Sequence, residues 1–338
     1  MADTSTRRID YKEIKNTLYG VLLKNGFSKE DADICSGLFT DTSLDGVYSH
    51  GLNRFPLFIE NVRKGFVKPD KQPTLKQSLN NFEKWDGNLG PGNLNAKFCM
   101  DRAINLAREY GTGIVSIGNS NHWLRGGAYG LQAANQNCIG ICMTNTMPNM
   151  PPWGGKKTTI GNNPFIISVP HKPYPVLLDM AMSQFSYGKF EILREQGKML
   201  PMDGGYNKDF ELTNDPDQIL ESMMALPMGY WKGSGLAIMI DMLVAVLSGG
   251  MTTSEIGELE AEYGLSQLFI ALDTEQLSNV GLADRIIQSI IDSVNNTNPI
   301  ESGGNVFHPG EQTYLRRLEN EKLGIPVNPD KWKQITEL

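Results

Sequence analysis

The chain has 338 residues, of which 40% are hydrophobic and 20% charged, and its formal net charge is −7; these are values of a folded protein with a sizeable core. Its 31 lysines and arginines are scattered, which excludes the basic stripe that a nucleic-acid groove requires. Cys35, Cys99, Cys138 and Cys142 form no CxxC pair, so buried reduced thiols are expected, with no disulfide and no metal site.

Residues 1–8 lack the apolar stretch of a signal peptide, and a cytoplasmic protein is expected. Residues 11–24 have helical apolar spacing and are followed by Gly26 as a C-cap. Ser28, with Asp31 three residues on, caps a second helix over 29–42, and a third over 57–64 ends at Gly65. Residues 68–77 are polar and proline-containing, a domain boundary. Beyond them helices are expected over 95–110, 128–137, 233–248 (a buried helix) and 282–294, and strands over 113–118, 139–144, 166–169, 176–180 and 268–272. Alternating strands and helices indicate the α/β class. The longest apolar run, 236–247, contains Asp241 and is too short to span a bilayer, so no membrane association is expected.

Several segments carry groups suited to chemistry. Ser49, His50 and Arg54 place a hydroxyl, an imidazole and a guanidinium within six residues. The histidine and arginine stand one helical turn apart: the first can hand a proton to a carbonyl oxygen, the second can grip a carboxylate. An interhelix histidine and a surface arginine are the bland alternative. His122 lies in a polar loop directly after a strand, a common active-site position in α/β folds. His171 falls on an exposed turn, and His308 stands undecided in a polar loop. Gly161-Asn162-Asn163-Pro164 is a turn whose amides could face a phosphate. Asp179 ends a strand, where it could orient a histidine, bind a ribose hydroxyl or cap the next helix. Trp231 and Lys232, ahead of Gly233-Ser234-Gly235, offer an indole and a cation on flexible backbone. The G-x-G-x-x-G fingerprint, the P-loop and H-E-x-x-H are all missing, so a nicotinamide cofactor would bind outside the Rossmann pattern.

Six motifs in order complete the pattern: Tyr48-Ser49-His50-Gly51, Asn121-His122, Gly161-Asn162-Asn163-Pro164, Asp179-Met180-Ala181, Trp231-Lys232-Gly233 and Pro309-Gly310-Glu311. Together they resemble the malate/L-lactate/sulfolactate dehydrogenase family from about residue 10 to the end. Further stretches, including Met150-Pro151-Pro152-Trp153-Gly154 and Leu200-Pro201-Met202-Asp203-Gly204-Gly205, are similar to those of members that reduce a diketo sugar acid. The resemblance implies a non-Rossmann nicotinamide-binding domain with a mixed sheet, joined to a mainly helical part built from both chain ends. The division expected is 1–78 (helical), 79–308 (cofactor-binding) and 309–338 (packing back on the helical part). It implies a homodimer that reduces a small 2-keto acid with NADH. His50 would be the proton donor, Arg54 the carboxylate anchor, His122 a helper at a neighbouring oxygen and Ser49 a supporting hydrogen bond. Cofactor contacts would fall at Pro175, Val176, Leu177, Leu178, Asp179, Met180 and Ala181, at Trp231 and Lys232, and at Gly310, Glu311 and Gln312. The last triplet departs from the Gly-His-Glu of the nearer relatives. NADH is expected over NADPH because no basic cluster follows Asp179. The rival readings are a malate, lactate, sulfolactate or ureidoglycolate dehydrogenase of the same family, and a non-catalytic ligand-binding dimer.

Overall fold

A computed structural model describes residues 7–278 and 280–338; the first six positions of the N-terminal stretch discussed above lie outside the described residues. Strand β1 (Arg7–Ile9) leads into helix α1 (Tyr11–Lys24), which Asp10 caps by accepting the Lys12 N–H at 2.8 Å. Ser28 caps α2 (Lys29–Leu44) through the Asp31 N–H at 3.1 Å. A 3-10 turn (Leu52–Arg54) then opens α3 (Phe55–Arg63). The apolar stripes of the three helices meet. Phe39 lies edge-on to Phe55 (5.0 Å, 89°) and to Phe58 (5.2 Å, 62°), among buried Ile14, Leu18, Leu22 and Ile59.

The middle of the chain builds a seven-stranded sheet. In chain order come β2 (Thr74–Leu79), β3 (Phe82–Asp86), α4 (Gly92–Tyr110), β4 (Thr112–Ser120), α5 (Gly127–Ala134), β5 (Cys138–Thr144), β6 (Phe165–Val169) and β7 (Val176–Met180). There follow α6 (Tyr187–Glu195), a small hairpin of β8 (Gly205–Tyr206) and β9 (Leu212–Thr213), and α7 (Pro216–Ser222). Then come α8 (Trp231–Ser248), α9 (Thr253–Ile256), β10 (Leu265–Asp273), α10 (Thr274–Leu277) and α11 (Val280–Asn295). The strand order is β2-β3-β4-β10-β5-β6-β7. Only β3 and β4 run parallel; every other neighbouring pair is antiparallel. Side chains alternate across the sheet. Phe269 and Ala271 of β10 join α4 and α5 in one core layer, while Leu268 joins α8 in the other.

The chain then returns to its start. Helix α12 (Glu311–Leu323) precedes β11 (Ile325–Val327), which pairs antiparallel with β1, Ile9 opposite Ile325; α13 (Pro329–Thr336) closes the chain. Ile325, Val327, Trp332 and Ile335 complete the core of α1–α3. The mixed sheet and the helical part assembled from both ends agree with the expected fold.

Three readings need correction. The segment 68–77 is not all linker, because β2 begins at Thr74, and this strand lies across the division drawn at 78/79; all six of its residues are exposed, so no apolar alternation announces it. Helix α8 starts at Trp231 rather than Gly233, and its 18 residues are long and apolar enough on average to span a bilayer by length and composition. It packs on the sheet instead. Ala237, Ile240 and Val244 are buried, and Asp241 accepts the Thr253 N–H and the Asn145 amide N–H, both at 2.9 Å. Nor is it wholly buried, for Leu236, Met239, Met242, Leu243 and Val246 remain exposed. The four cysteines are free and buried.

Trp332, 8% exposed, anchors the C-terminal segment in the N-terminal core. Trp332→Ala should lower unfolding free energy by about 3–5 kcal/mol, the usual loss for a buried aromatic. Guanidinium unfolding would show it; a loss under about 1 kcal/mol, the range of surface substitutions, would mean this segment lies outside the cooperative unit.

Candidate active site

The end of α2 shapes the first wall. Asp45 caps the helix, Gly46 takes a left-handed conformation (φ 79°), and the chain turns at once, with the His50 and Gly51 N–H groups both donating to Val47 O at 3.1 Å. Gly51 has no alternative here, because a Cβ would collide with Ser43 Oγ, which itself accepts the Leu52 N–H at 2.9 Å. The turn presents Ser49 and His50, with Ser49 Oγ 2.9 Å from His50 Nδ1. His50 Nε2 has no hydrogen-bond partner among the described residues. Arg54 ends the 3-10 turn. His50 and Arg54 are therefore not one turn apart on a helix: the chain breaks between them at Gly51 (φ −98°, ψ −124°).

The second wall is the loop after β4. Asn121 pins it by donating to the carbonyls of Phe66, Leu89 and Gly90 at 2.9–3.1 Å. His122 stacks against His50 with ring centroids 6.0 Å apart and planes inclined at 20°. His122 Nδ1 accepts the Leu124 N–H at 3.1 Å, so the proton of the neutral ring resides on Nε2. Burial pushes the pKa of both histidines below the usual 6.5. For His50 the Asp179 carboxylate opposes that shift, and Arg54 and Arg125 reinforce it. For His122, Arg54 and His50 add to burial.

Arg125, three residues beyond His122, is 4% exposed and pairs with buried Asp45. Its Nε lies 3.6 Å from Asp179 Oδ2, which also accepts the Gly127 N–H at 2.9 Å. Asp45 pairs in turn with Arg317 of α12 (2.7 Å), and Arg317 reaches Asp41 (3.2 Å). Burial favours the neutral form of Arg125, but Asp45 and Asp179 outweigh it and raise its pKa.

The third wall is β7 at the sheet edge, which carries the expected cofactor segment. Pro175 and Leu177 are buried; Val176, Leu178, Met180 and Ala181 are part-exposed, and Asp179 faces Arg125. Pro309 O accepts the Leu177 N–H at 3.2 Å, and a Cβ on Gly310 (φ 91°) would stand 2.9 Å from Leu177 N, so the C-terminal loop lies directly on this strand. The Glu311 carboxylate is held by His308 Nδ1 at 2.9 Å and by the Asn295 amide at 3.2 Å, while Gln312 is exposed. Trp231 and Lys232 open α8 and are exposed. Their loop joins the end of β7 through the Met228 N–H, which donates to Met182 O at 2.7 Å. Ser49 meets the start of α6, just beyond β7, since a Cβ on Gly188 would lie 3.1 Å from Ser49 Cβ.

The turn at 161–164 has another task. Asn163 is buried, accepts the Thr146 N–H at 3.0 Å and donates to Ala237 O at 2.8 Å; its side-chain amide is a clamp between the turn and α8. Asp45, Arg317 and Glu262 were missed as site residues. Asp45 reads as a turn residue, and nothing local marks the others. Arg125 had one signal, its place beside His122 in a glycine-flanked loop.

The model of the malate/L-lactate dehydrogenase family matches residues 9–336. A 2,3-diketo-L-gulonate reductase of Escherichia coli O127:H6 is 42% identical over 332 residues, covering 98% of this chain and all of the relative. Among solved structures, malate dehydrogenase from Entamoeba histolytica superposes with a TM-score of 0.93 at 27% identity, over 98% of this chain and 97% of the other. Sulfolactate dehydrogenase from Methanocaldococcus jannaschii gives 0.90 at 31% identity, over 98% and 96%.

Because the folded His122 pKa is depressed, neutral His122 contributes no pH-dependent penalty above 6.5, and stability is lost as pH falls below that value, where the unfolded chain binds the proton. His122→Gln should therefore flatten the fall in Tm between about pH 7 and pH 5. Equal acid-side slopes in variant and wild type would show that His122 does not drive it.

Proposed function

Because the chain belongs to the malate/L-lactate dehydrogenase family, we propose that it reduces 2,3-diketo-L-gulonate at C2 to 3-dehydro-L-gulonate, with NADH as reductant. It is an oxidoreductase of hydroxy or keto acids, a class for which the family uses a nicotinamide cofactor. The observation that carries the substrate is the 42% identity to a 2,3-diketo-L-gulonate reductase over that relative's whole length. Malate and sulfolactate dehydrogenases among the structural neighbours make oxaloacetate and other short keto acids the second reading.

The residues present suit a nicotinamide dinucleotide. Buried Asn149 Oδ1 and Ser183 Oγ have no partner and flank the end of β7, where a carboxamide could satisfy them. The N-terminus of α8 has no side-chain cap and Lys232 stands beside it, a setting for phosphate. Residues 175–181 with Gly310, Glu311 and Gln312 would line the rest. Bound NADH supplies a hydride to the ketone carbon. No lysine or arginine occurs between Asp179 and Lys189, and the Arg125 charge is committed to Asp45 and Asp179, which supports NADH over NADPH. Initial rates with the two cofactors test this; an NADPH preference overturns it.

The substrate carboxylate pairs with Arg54, whose guanidinium makes no hydrogen bond among the described residues and only one ion pair, to Glu262 at 3.6 Å. The neutral His122 Nε2–H donates to an oxygen beside the reacting carbon. His50 gives its proton to the C2 oxygen as negative charge develops there, and Ser49 steadies the ring through Nδ1. Asp179 favours the charged imidazolium, which offsets part of the burial penalty.

We take residues 74–308, which include the edge strand β2, as the cofactor-binding part and residues 1–73 with 309–338 as the helical part of a cytoplasmic homodimer. The exposed apolar stripe of α8, with Met239 and Val246, supports pairing with a second copy. Sedimentation should return twice the 37.5 kDa chain mass; a monomer at micromolar concentration would refute the dimer.

NADH oxidation measured with 2,3-diketo-L-gulonate beside pyruvate, oxaloacetate and sulfopyruvate tests the substrate, the first being turned over with the highest kcat/KM. NADH binding with no turnover of any acid would favour a non-catalytic binding protein. His50→Asn should lose about a hundredfold or more in kcat. The donor must be charged for reduction, so kcat/KM for reduction should fall as pH rises through a pKa below 6.5, while the reverse reaction gains over the same range. Arg54→Met should raise KM for the keto acid and leave NADH affinity unchanged; weaker NADH binding would assign Arg54 to the cofactor instead.

A further inference from the structure

Glu262 lies in the loop between α9 and β10, and the mechanism above gives it no task. Its side chain is 16% exposed, with Oε2 3.6 Å from Arg54 Nη2. Oε1 accepts the Met147 N–H at 3.2 Å. The loop is braced directly after the carboxylate: Tyr263 lies flat on Phe66 (5.2 Å, 9°), and Gly264 turns the chain into β10 at φ 73°. Glu262 is thus an anion held in place beside the guanidinium that borders His50 and His122. The 3.6 Å separation exceeds that of a charge-assisted hydrogen bond, about 2.7–2.9 Å, so the pair leaves the fork of Arg54 open.

A fixed carboxylate beside the substrate anchor has two chemical consequences. Its Oε2, which accepts no hydrogen bond among the described residues, suits a hydroxyl on a substrate tail. The carboxylate is also a charge, repelling a second anionic group carried by the same substrate. Counting charges sharpens the second point. The carboxylate next to the ketone and Glu262 already share Arg54, and the neighbouring Arg125 is neutralised by Asp45 and Asp179. His50, the proton donor, loses its charge as the carbonyl is reduced, so a dicarboxylate would leave three anions beside Arg54 as the only lasting uncommitted cation named at this site.

We propose that Glu262 determines specificity, selecting polyhydroxylated monocarboxylic keto acids and rejecting keto acids with a second anionic group. This rests on the keto-acid reading above and deepens it. Glu262 touches the substrate tail rather than the reacting atoms, so its removal changes the ranking of substrates and not the chemical step common to them.

The test is steady-state NADH oxidation by wild type, Glu262→Gln and Glu262→Ala with three substrates: 2,3-diketo-L-gulonate (hydroxylated tail), oxaloacetate (second carboxylate) and pyruvate (neither). Thermal melting and NADH fluorescence titration confirm that each variant is folded and binds cofactor. In Glu262→Gln, the change that all three substrates share through Arg54 cancels in ratios to pyruvate: relative kcat/KM should rise about tenfold for oxaloacetate and fall about tenfold for 2,3-diketo-L-gulonate, with Glu262→Ala moving the same way. Parallel changes for all three substrates in folded variants would overturn the proposal and reduce Glu262 to a prop for Arg54. A wild type that turns over pyruvate and oxaloacetate but not 2,3-diketo-L-gulonate would sink the substrate assignment alone. The oxaloacetate-to-pyruvate ratio then decides for Glu262, its rise in the Gln variant supporting the charge argument and its constancy refuting it.

Discussion

The rest of the structure hangs on a line of alternating charges, Arg317–Asp45–Arg125–Asp179, whose central pair, Asp45 and Arg125, is buried. Each member comes from a different part of the chain: α12, the end of α2, the loop after β4, and β7. Asp45 is separated from Arg125 by 80 residues and from Arg317 by 272. Such charges tolerate burial only together, since removing one partner typically costs about 3–5 kcal/mol and leaves its neighbour uncompensated. The line therefore fixes how the N-terminal turn, the sheet edge and the C-terminal helix lie against one another, and the three walls of the site are these same segments.

The electrostatics of the two histidines follow from that arrangement. Both are desolvated, so both are held towards the neutral form. They differ in their neighbours. His50 has Asp179 within electrostatic reach and a hydroxyl on Nδ1, and so retains access to the imidazolium. His122 has Arg54 and His50 as its charged neighbours and an amide donor on Nδ1, which keep its ring neutral with the proton on Nε2. Two residues of one type are given different electrostatic surroundings, which is what the roles proposed for them require. Arg125 acts on both sides, since it steadies Asp179 while its own charge lowers the His50 pKa.

Legibility in the sequence followed the range of the interaction. The helices of the N-terminal part could be read because capping and apolar periodicity are local: Ser28 with Asp31 marked a helix start that the structure shows at 3.1 Å. The edge strand β2 was invisible, because its residues touch solvent on both faces and carry no alternation. Helix α8 could be read as apolar, but which side would be covered depends on the sheet beneath it. The Ser49-His50-Gly51 turn stood out by composition, although its spacing suggested a helix; the contact with Ser43 that forces the break at Gly51 lies eight residues back on α2.

By itself the sequence determined the residue types available for the chemistry, the order of the elements and, through six motifs in register, the family. Those properties are local or additive, and a linear reading recovers them. Only the tertiary structure decided that His122 stacks on His50 across 72 positions, that Arg125 charges the floor beneath Asp179 and that Glu262 stands opposite Arg54. Electrostatic and hydrogen-bonding energies depend on separations of a few ångströms, and distance along the chain carries almost no information about separation in space.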